Sequence, residues 1–262
     1  MNNCIATTTD EEYLPYFVVF YNSFYEHTTD TDLVVTAVNI SDKKSFSDRF
    51  NRCRVNFVDK QLSTEKKSDG KSVAGKLVSE KDAYCNNAKF FTYGEIFKWY
   101  TNSIYIDSDS IINGDLKHVF DFFESSDCIL IPHPQKPGLW MGGFLGFKQC
   151  DICLEVINEI GTTLINTGKL FKWGNQPVIS GSVIKFKDRL KIKEVPASLY
   201  TDFEEFSDKS YVWSGKGALK GYAQYKVYAN EQEIIKSLGY KKSDRYIDKM
   251  VEYGFDRRQA EL

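Results

Sequence analysis

The sequence predicts an α/β fold: a Rossmann-like, mostly parallel sheet flanked by helices, running on into a mixed α+β half and a helical C-terminal tail. Three observations predict it. Over the first 60 residues, short apolar runs alternate with stretches of helical apolar spacing, the grammar of successive βαβ units. Beyond about residue 116 that alternation gives way to strand-like runs that follow one another directly. The 262 residues, 42% of them hydrophobic and 15% aromatic, supply one large core.

Taken in order, "CIAT" reads as a short buried strand, and "EEYLPYFVVFYNSFYEH" follows with apolar residues at helical intervals. "DLVVTAVNI" and "RVNFVD" are β-branched runs that read as strands, with "SDKKSFSDRFN" a helix between them. Residues 60–81 hold six Lys against three acids, with two Gly and little periodicity. They read as a solvated loop, or as a functional loop that orders over a substrate. "AYCNNAKFFTYGEIFKWY" is a helix leading into the short strand "SIYID". In "DLKHVFDFFES", Leu116, Val119, Phe120 and Phe123 share a helical face and Asp115 is placed to cap the start.

"DCILIPHP" is a further strand, and "LWMGGFLGFK" is one whose glycines allow a ligand or backbone to come close. "DICLEVINEIGTTL" and the segment opening with "WGNQPVISGSVI" read as helices, as does the mixed-charge tail from about 230.

A net charge of −2 and a pI of about 6.0 exclude a global basic field that would recruit nucleic acid or an anionic membrane. No apolar run approaches about 18 residues, so no transmembrane segment is expected. Six scattered cysteines and an opening "MNNCIATTTDEEY" without signal-peptide character point to reduced thiols in a cytoplasmic protein, free or peripheral to a membrane. The lone C-x-x-C of Cys150 and Cys153 lacks the second pair or nearby histidines that a zinc site wants.

Two D-x-D triplets stand in the chain, Asp30/Asp32 and Asp107/Asp109. In an open α/β sheet, ligands gather at the carboxyl ends of strands. Asp30 and Asp32 precede their strand and read as a charged turn, whereas Asp107 and Asp109 follow "SIYI". With the backbone still extended, residues i and i+2 would present both carboxylates to one divalent cation. Such oxygen donors suit Mg²⁺ or Mn²⁺ bridging the oxygens of a diphosphate.

"SIYIDSDSIINGDL" resembles the D-x-D region of A-type (GT-A fold) glycosyltransferases. It is nearest to the retaining family that includes glycogenin and the bacterial lipopolysaccharide galactosyltransferases. The similarity runs over roughly residues 3 to 220 and implies a UDP-sugar donor with Mn²⁺ or Mg²⁺. In "ATTTDEEY", it puts Tyr13 against the uracil and Thr7, Thr9 and Asp10 along base and ribose, although Asn is commoner at the Asp10 position. Lys89 in "NNAKFF" matches a basic residue that contacts donor phosphate, and Ser108 lies inside the D-x-D itself.

"MGGFLGFK" resembles an N-x-G strand with Met141 where Asn is usual. "GNQPVIS" resembles a D-Q motif near the reacting carbon, with Asn175 in place of the Asp and Gln176 retained. "YVWSGKGALKG" resembles an H-x-x-G-x-x-K segment: Gly217 and Lys220 keep its spacing, and Ser214 takes the place of the metal-binding histidine.

The resemblance implies a single domain over 1–229, with a nucleotide-binding half (1–115) and an acceptor half (116–229), and a peripheral tail at 230–262. Asp107, Asp109 and Ser214 would hold the metal. Lys216 or Lys220 would neutralise the leaving group, and Asn175 and Gln176 would position the sugar, with the anomeric configuration retained. The acceptor is left open among glycan, glycolipid, protein and modified nucleic acid. Two other readings stand beside this one. An aspartate-nucleophile phosphatase also uses a D-x-D at a strand end, but here Ile111 stands where its Thr or Val belongs. A sugar-nucleotide-binding protein that has lost turnover would account for Ser214, Asn175 and Met141.

Overall fold

The computed structural model describes residues 2–65, 79–134, 136–166, 175–201 and 209–214. The expected βαβ order is present: β1 (Asn3–Asp10), α1 (Leu14–His27), β2 (Asp32–Val38), α2 (Lys43–Arg49) and β3 (Arg54–Val58). Then come α3 (Glu80–Asn87), α4 (Lys89–Ile96), β4 (Asn102–Ile106) and β5 (Ile111–Ile112). A 3-10 helix (Lys117–Glu124) leads to β6 (Cys128–Pro132), β7 (Trp140–Lys148), α5 (Asp151–Asn166), α6 (Asn175–Phe186), β8 (Ile192–Glu194), α7 (Ala197–Tyr200) and β9 (Val212–Trp213).

Seven strands form one sheet in the order β3-β2-β1-β4-β7-β6-β8, and β5 pairs with β9 in a separate two-stranded ladder. Strands β3, β2, β1 and β4 are mutually parallel, and β7 runs antiparallel between β4 and β6. The carboxyl ends of β1, β2, β3, β4 and β6 therefore share one edge of the sheet. The period-2 alternation of a strand splits the core in two. Ile5, Ile104, Ile106 and Phe144 face α1, α2 and the 3-10 helix, where Phe17 stacks on Phe46 and meets Phe50 edge-on. Ala6, Tyr105, Leu145 and Phe147 face α4, α5 and α6.

Two elements differ from the sequence reading. The helix expected from "AYCNNAKFFTYGEIFKWY" is broken at Ala88 into α3 and α4. Asn87 turns its amide back onto the Ala83 carbonyl (2.9 Å) and Thr92 turns its hydroxyl onto the Ala88 carbonyl (3.1 Å), local bonds that compete with a continuous helix. The segment after Asp115 is a 3-10 helix, although Asp115 does accept the Lys117 N–H (2.9 Å) and all four apolar residues named for its face are buried.

Within the lysine-rich 60–81 stretch, residues 66–78 lie outside the described residues, and its end is helical. Ser79 and Asp82 close a reciprocal capping box that starts α3. The tail from 230 lies outside the described residues too.

Candidate active site

The glycine pair of β7 is the hub of the carboxyl edge. The Asp107 N–H donates to the Gly143 carbonyl (3.0 Å), and a Cβ built on Gly143 would stand 2.7 Å from Asp107 Oδ2. One residue back, the Gly142 carbonyl accepts from Lys89 Nζ (2.6 Å), and a Cβ there would stand 3.3 Å from both polar atoms of the Asn175 amide. Met141 Sδ is 3.9 Å from Gln176 Nε2. Three residues of one strand thus meet Asp107, Lys89, Asn175 and Gln176, which reach them from the turn after β4, from α4 and from α6. A Cβ at Gly143 would displace the Asp107 carboxylate, and one at Gly142 would press on the Asn175 amide.

Lys89 begins α4 with its side chain only 1% exposed. Its ammonium lies 3.4 Å from Asp107 Oδ1 and 4.1 Å from the centre of the Tyr105 ring, so a carboxylate, a carbonyl and a π-face offset its burial. Asn175 and Gln176 open α6 and are both buried.

The geometry of the D-x-D departs from the extended backbone expected. Strand β4 ends at Ile106, and Asp107 to Ser110 form a turn closed by the Ser110 N–H on the Asp107 carbonyl (3.1 Å). Strand alternation therefore does not orient the two carboxylates; the turn does. Ser108 and Asp109 are buried, while the Asp107 side chain is 21% exposed. Both aspartates act on Tyr105, whose hydroxyl pKa is raised well above the ordinary value by burial first, then by Asp107, and also by Asp109. Tyr105 is not among the candidates from sequence; it lies on β4 just ahead of the turn that carries both aspartates.

Ser214 follows β9. In the β5–β9 ladder Ile111 faces Trp213 and Ile112 faces Val212, and the same register continued by one residue sets Ser214 opposite Ser110. Both hydroxyls are buried and have no hydrogen-bond partner among the described residues. Lys216, Gly217 and Lys220 lie outside the described residues.

At the end of β1, Thr7, Thr9 and Asp10 are buried and Tyr13 is half-buried. Asp10 Oδ1 accepts the Tyr13 N–H (2.9 Å), and Oδ2 pairs with Lys81 Nζ (3.1 Å). The composition of 60–81 places Lys81 in a loop, solvated or ordering over a substrate. The Ser79-x-x-Asp82 capping pattern marks the helix that carries it.

The other triplet is spent on structure: Asp32 accepts the Tyr100 hydroxyl (2.9 Å) and Asp30 pairs with Lys117 (3.2 Å). Cys153 is buried and donates to the Asp127 carbonyl (3.2 Å). Among the described residues no group of three His, Cys, Asp or Glu side chains converges as for a metal, and no helix is long and apolar enough to cross a membrane.

This sheet, with the antiparallel strand beside β4 and the polar cluster at its carboxyl edge, is the A-type glycosyltransferase fold. Solved structures similar in fold include the bifunctional glycosyltransferase WbbM (TM-score 0.58, 10% identity) and the glycosyltransferase GlyE of Streptococcus pneumoniae TIGR4 (TM-score 0.58, 13% identity). The matches cover 90% and 93% of this chain but only 51% and 66% of theirs. A comparison with curated proteins finds no match. The chain belongs to glycosyl transferase family 8, whose model matches residues 4–136, just over half of the sequence. That family is one of glycosyltransferases, enzymes that use an activated sugar donor and an acceptor.

Proposed function

We propose that the protein transfers a hexose from a UDP-sugar to an acceptor hydroxyl with retention, using a divalent cation. The observation that carries this reading is the convergence of Asp107, Lys89, Asn175 and Gln176 on Gly142 and Gly143 at the carboxyl edge. Residues 1–115 supply the nucleotide side, with Thr7, Thr9, Asp10 and Tyr13 along base and ribose.

The donor set fits a hard cation. Asp107 and Asp109 offer carboxylate oxygens, and Ser214 brings a buried hydroxyl that has no described partner. Among the described residues no third acidic or imidazole group converges there, so Asp107, Asp109 and Ser214 are the residues that would hold the cation. A cation bound there supplies charge stabilisation to the departing diphosphate.

The chain's own residues do the rest. Lys89 holds Asp107 against β7, so the carboxylate needs little reorganisation when the donor arrives. Asn175 and Gln176, at the start of α6, orient the sugar over the glycines. By the resemblance of "YVWSGKGALKG" to the H-x-x-G-x-x-K segment, Lys220 would neutralise the leaving group. In this reading the acceptor oxygen attacks the anomeric carbon on the face from which the diphosphate departs, and the acceptor proton passes to a leaving phosphate oxygen.

Incubation with Mn²⁺ and a panel of UDP-sugars tests this. Slow UDP release that needs the metal and stops with chelator is expected; UDP binding without turnover on any donor would overturn the transfer reading. Ser214→Ala should weaken Mn²⁺ binding in the presence of UDP several-fold by calorimetry. Its melting temperature should barely change, since the hydroxyl has no described partner to lose.

A further inference from the structure

Three consecutive acids, Asp10, Glu11 and Glu12, occupy the β1–α1 turn at the edge where an anionic donor must bind. Left ionised and unpaired, they would repel a nucleoside diphosphate. Each is accounted for. Glu11 leaves the cluster by accepting the Ser41 N–H (2.8 Å) and hydroxyl (2.5 Å). Asp10 and Glu12 converge on a single ammonium, Lys81 Nζ, at 3.1 Å and 3.6 Å. The Cys85 thiol lies 3.6 Å from the same Asp10 oxygen, and the other oxygen holds the Tyr13 N–H (2.9 Å).

The side chains of Asp10 and Lys81 are 6% and 16% exposed, so water screens the pair little. Burial alone would lower the Lys81 pKa, but Asp10 and then Glu12 outweigh it and the pKa is raised, which keeps the lysine charged. Burial and the neighbouring Asp10 raise the Cys85 pKa, so the thiol stays neutral and adds no charge to the cluster.

We infer that Lys81 is the counter-cation that makes this acidic turn compatible with a nucleoside diphosphate. It is a positioning residue: it touches Asp10 and Glu12, and acts on the donor through the charge it cancels there. This rests on the donor site proposed above. Two unit charges about 10 Å apart at a partly buried site interact strongly enough to change affinity by about tenfold.

The test is calorimetric binding of UDP with Mn²⁺, and of uridine, to the full chain and its variants. Lys81→Met should weaken UDP about tenfold and uridine less than about twofold, because only the diphosphate feels the uncancelled carboxylates. Glu12→Gln in the Lys81→Met background restores the net charge of the cluster and should recover most of the loss, and Lys81→Arg should bind as the parent does. If Lys81→Met does not fold, that double variant and Lys81→Arg carry the test: charge balance predicts near-parental UDP binding for both. Loss of uridine and UDP in equal measure, or UDP binding unchanged in Lys81→Met, overturns the inference. A parent chain that binds no UDP overturns the donor site itself, and this inference with it.

Discussion

Asp109→Asn is expected to lower metal-dependent sugar transfer by about three orders of magnitude while the chain stays folded. The substitution keeps the shape of a buried side chain and removes one of the two carboxylates in the turn. A bound cation contributes several kcal/mol to stabilising the departing diphosphate, and about 4 kcal/mol corresponds to roughly a thousandfold in rate. The loss should fall on the chemical step, so single-turnover UDP release at saturating donor is the measurement, with a circular dichroism melt alongside. A rate within about tenfold of the parent would mean that Asp109 holds nothing the reaction needs.

Gly143→Ala should separate fold from function more sharply. Its Cβ would approach Asp107 Oδ2 to 2.7 Å, closer than atoms tolerate, and the least costly relief is rotation of that carboxylate. The backbone bond from the Asp107 N–H to the Gly143 carbonyl keeps the two chain segments together, so the strand itself has little reason to part. The melting temperature should change by only a few degrees. Turnover should fall about a hundredfold, the typical consequence of moving a catalytic constellation by about 1 Å. Gly142→Ala should be milder, because the Asn175 amide would be met at 3.3 Å, where a small adjustment suffices.

The order of elements was legible because it rests on local signals: apolar runs for the buried strands, 3.6-residue spacing for α1 and α5, and the strand-end position that told Asp107/Asp109 from Asp30/Asp32. What escaped the sequence depends on contacts between distant segments. "AYCNNAKFFTYGEIFKWY" carries helical spacing throughout, and only the side-chain bonds at Asn87 and Thr92 reveal the break. The D-x-D was read as extended, whereas the chain turns immediately after Ile106 and closes on Ser110.

The lysines were the least legible. In composition Lys81 looks like any solvated lysine and Lys89 stands out only through the family resemblance. Yet both are drawn inward by groups that the sheet brings from elsewhere, Lys81 by acids and Lys89 by an acid and a carbonyl. Tyr105 escaped for a related reason: it reads as an ordinary buried strand residue until both aspartates and Lys89 are seen around it.

The central claim is that the Asp107–Asp109 turn, with Lys89 behind it and the β7 glycines beside it, is where the donor diphosphate and its cation sit. Anomalous diffraction at the manganese edge, from crystals of the protein grown with UDP and Mn²⁺, tests this most directly. One strong peak between the two aspartates, with the diphosphate lying against Gly142 and Gly143, is the predicted result. Manganese bound elsewhere, or UDP bound away from this turn, would contradict it.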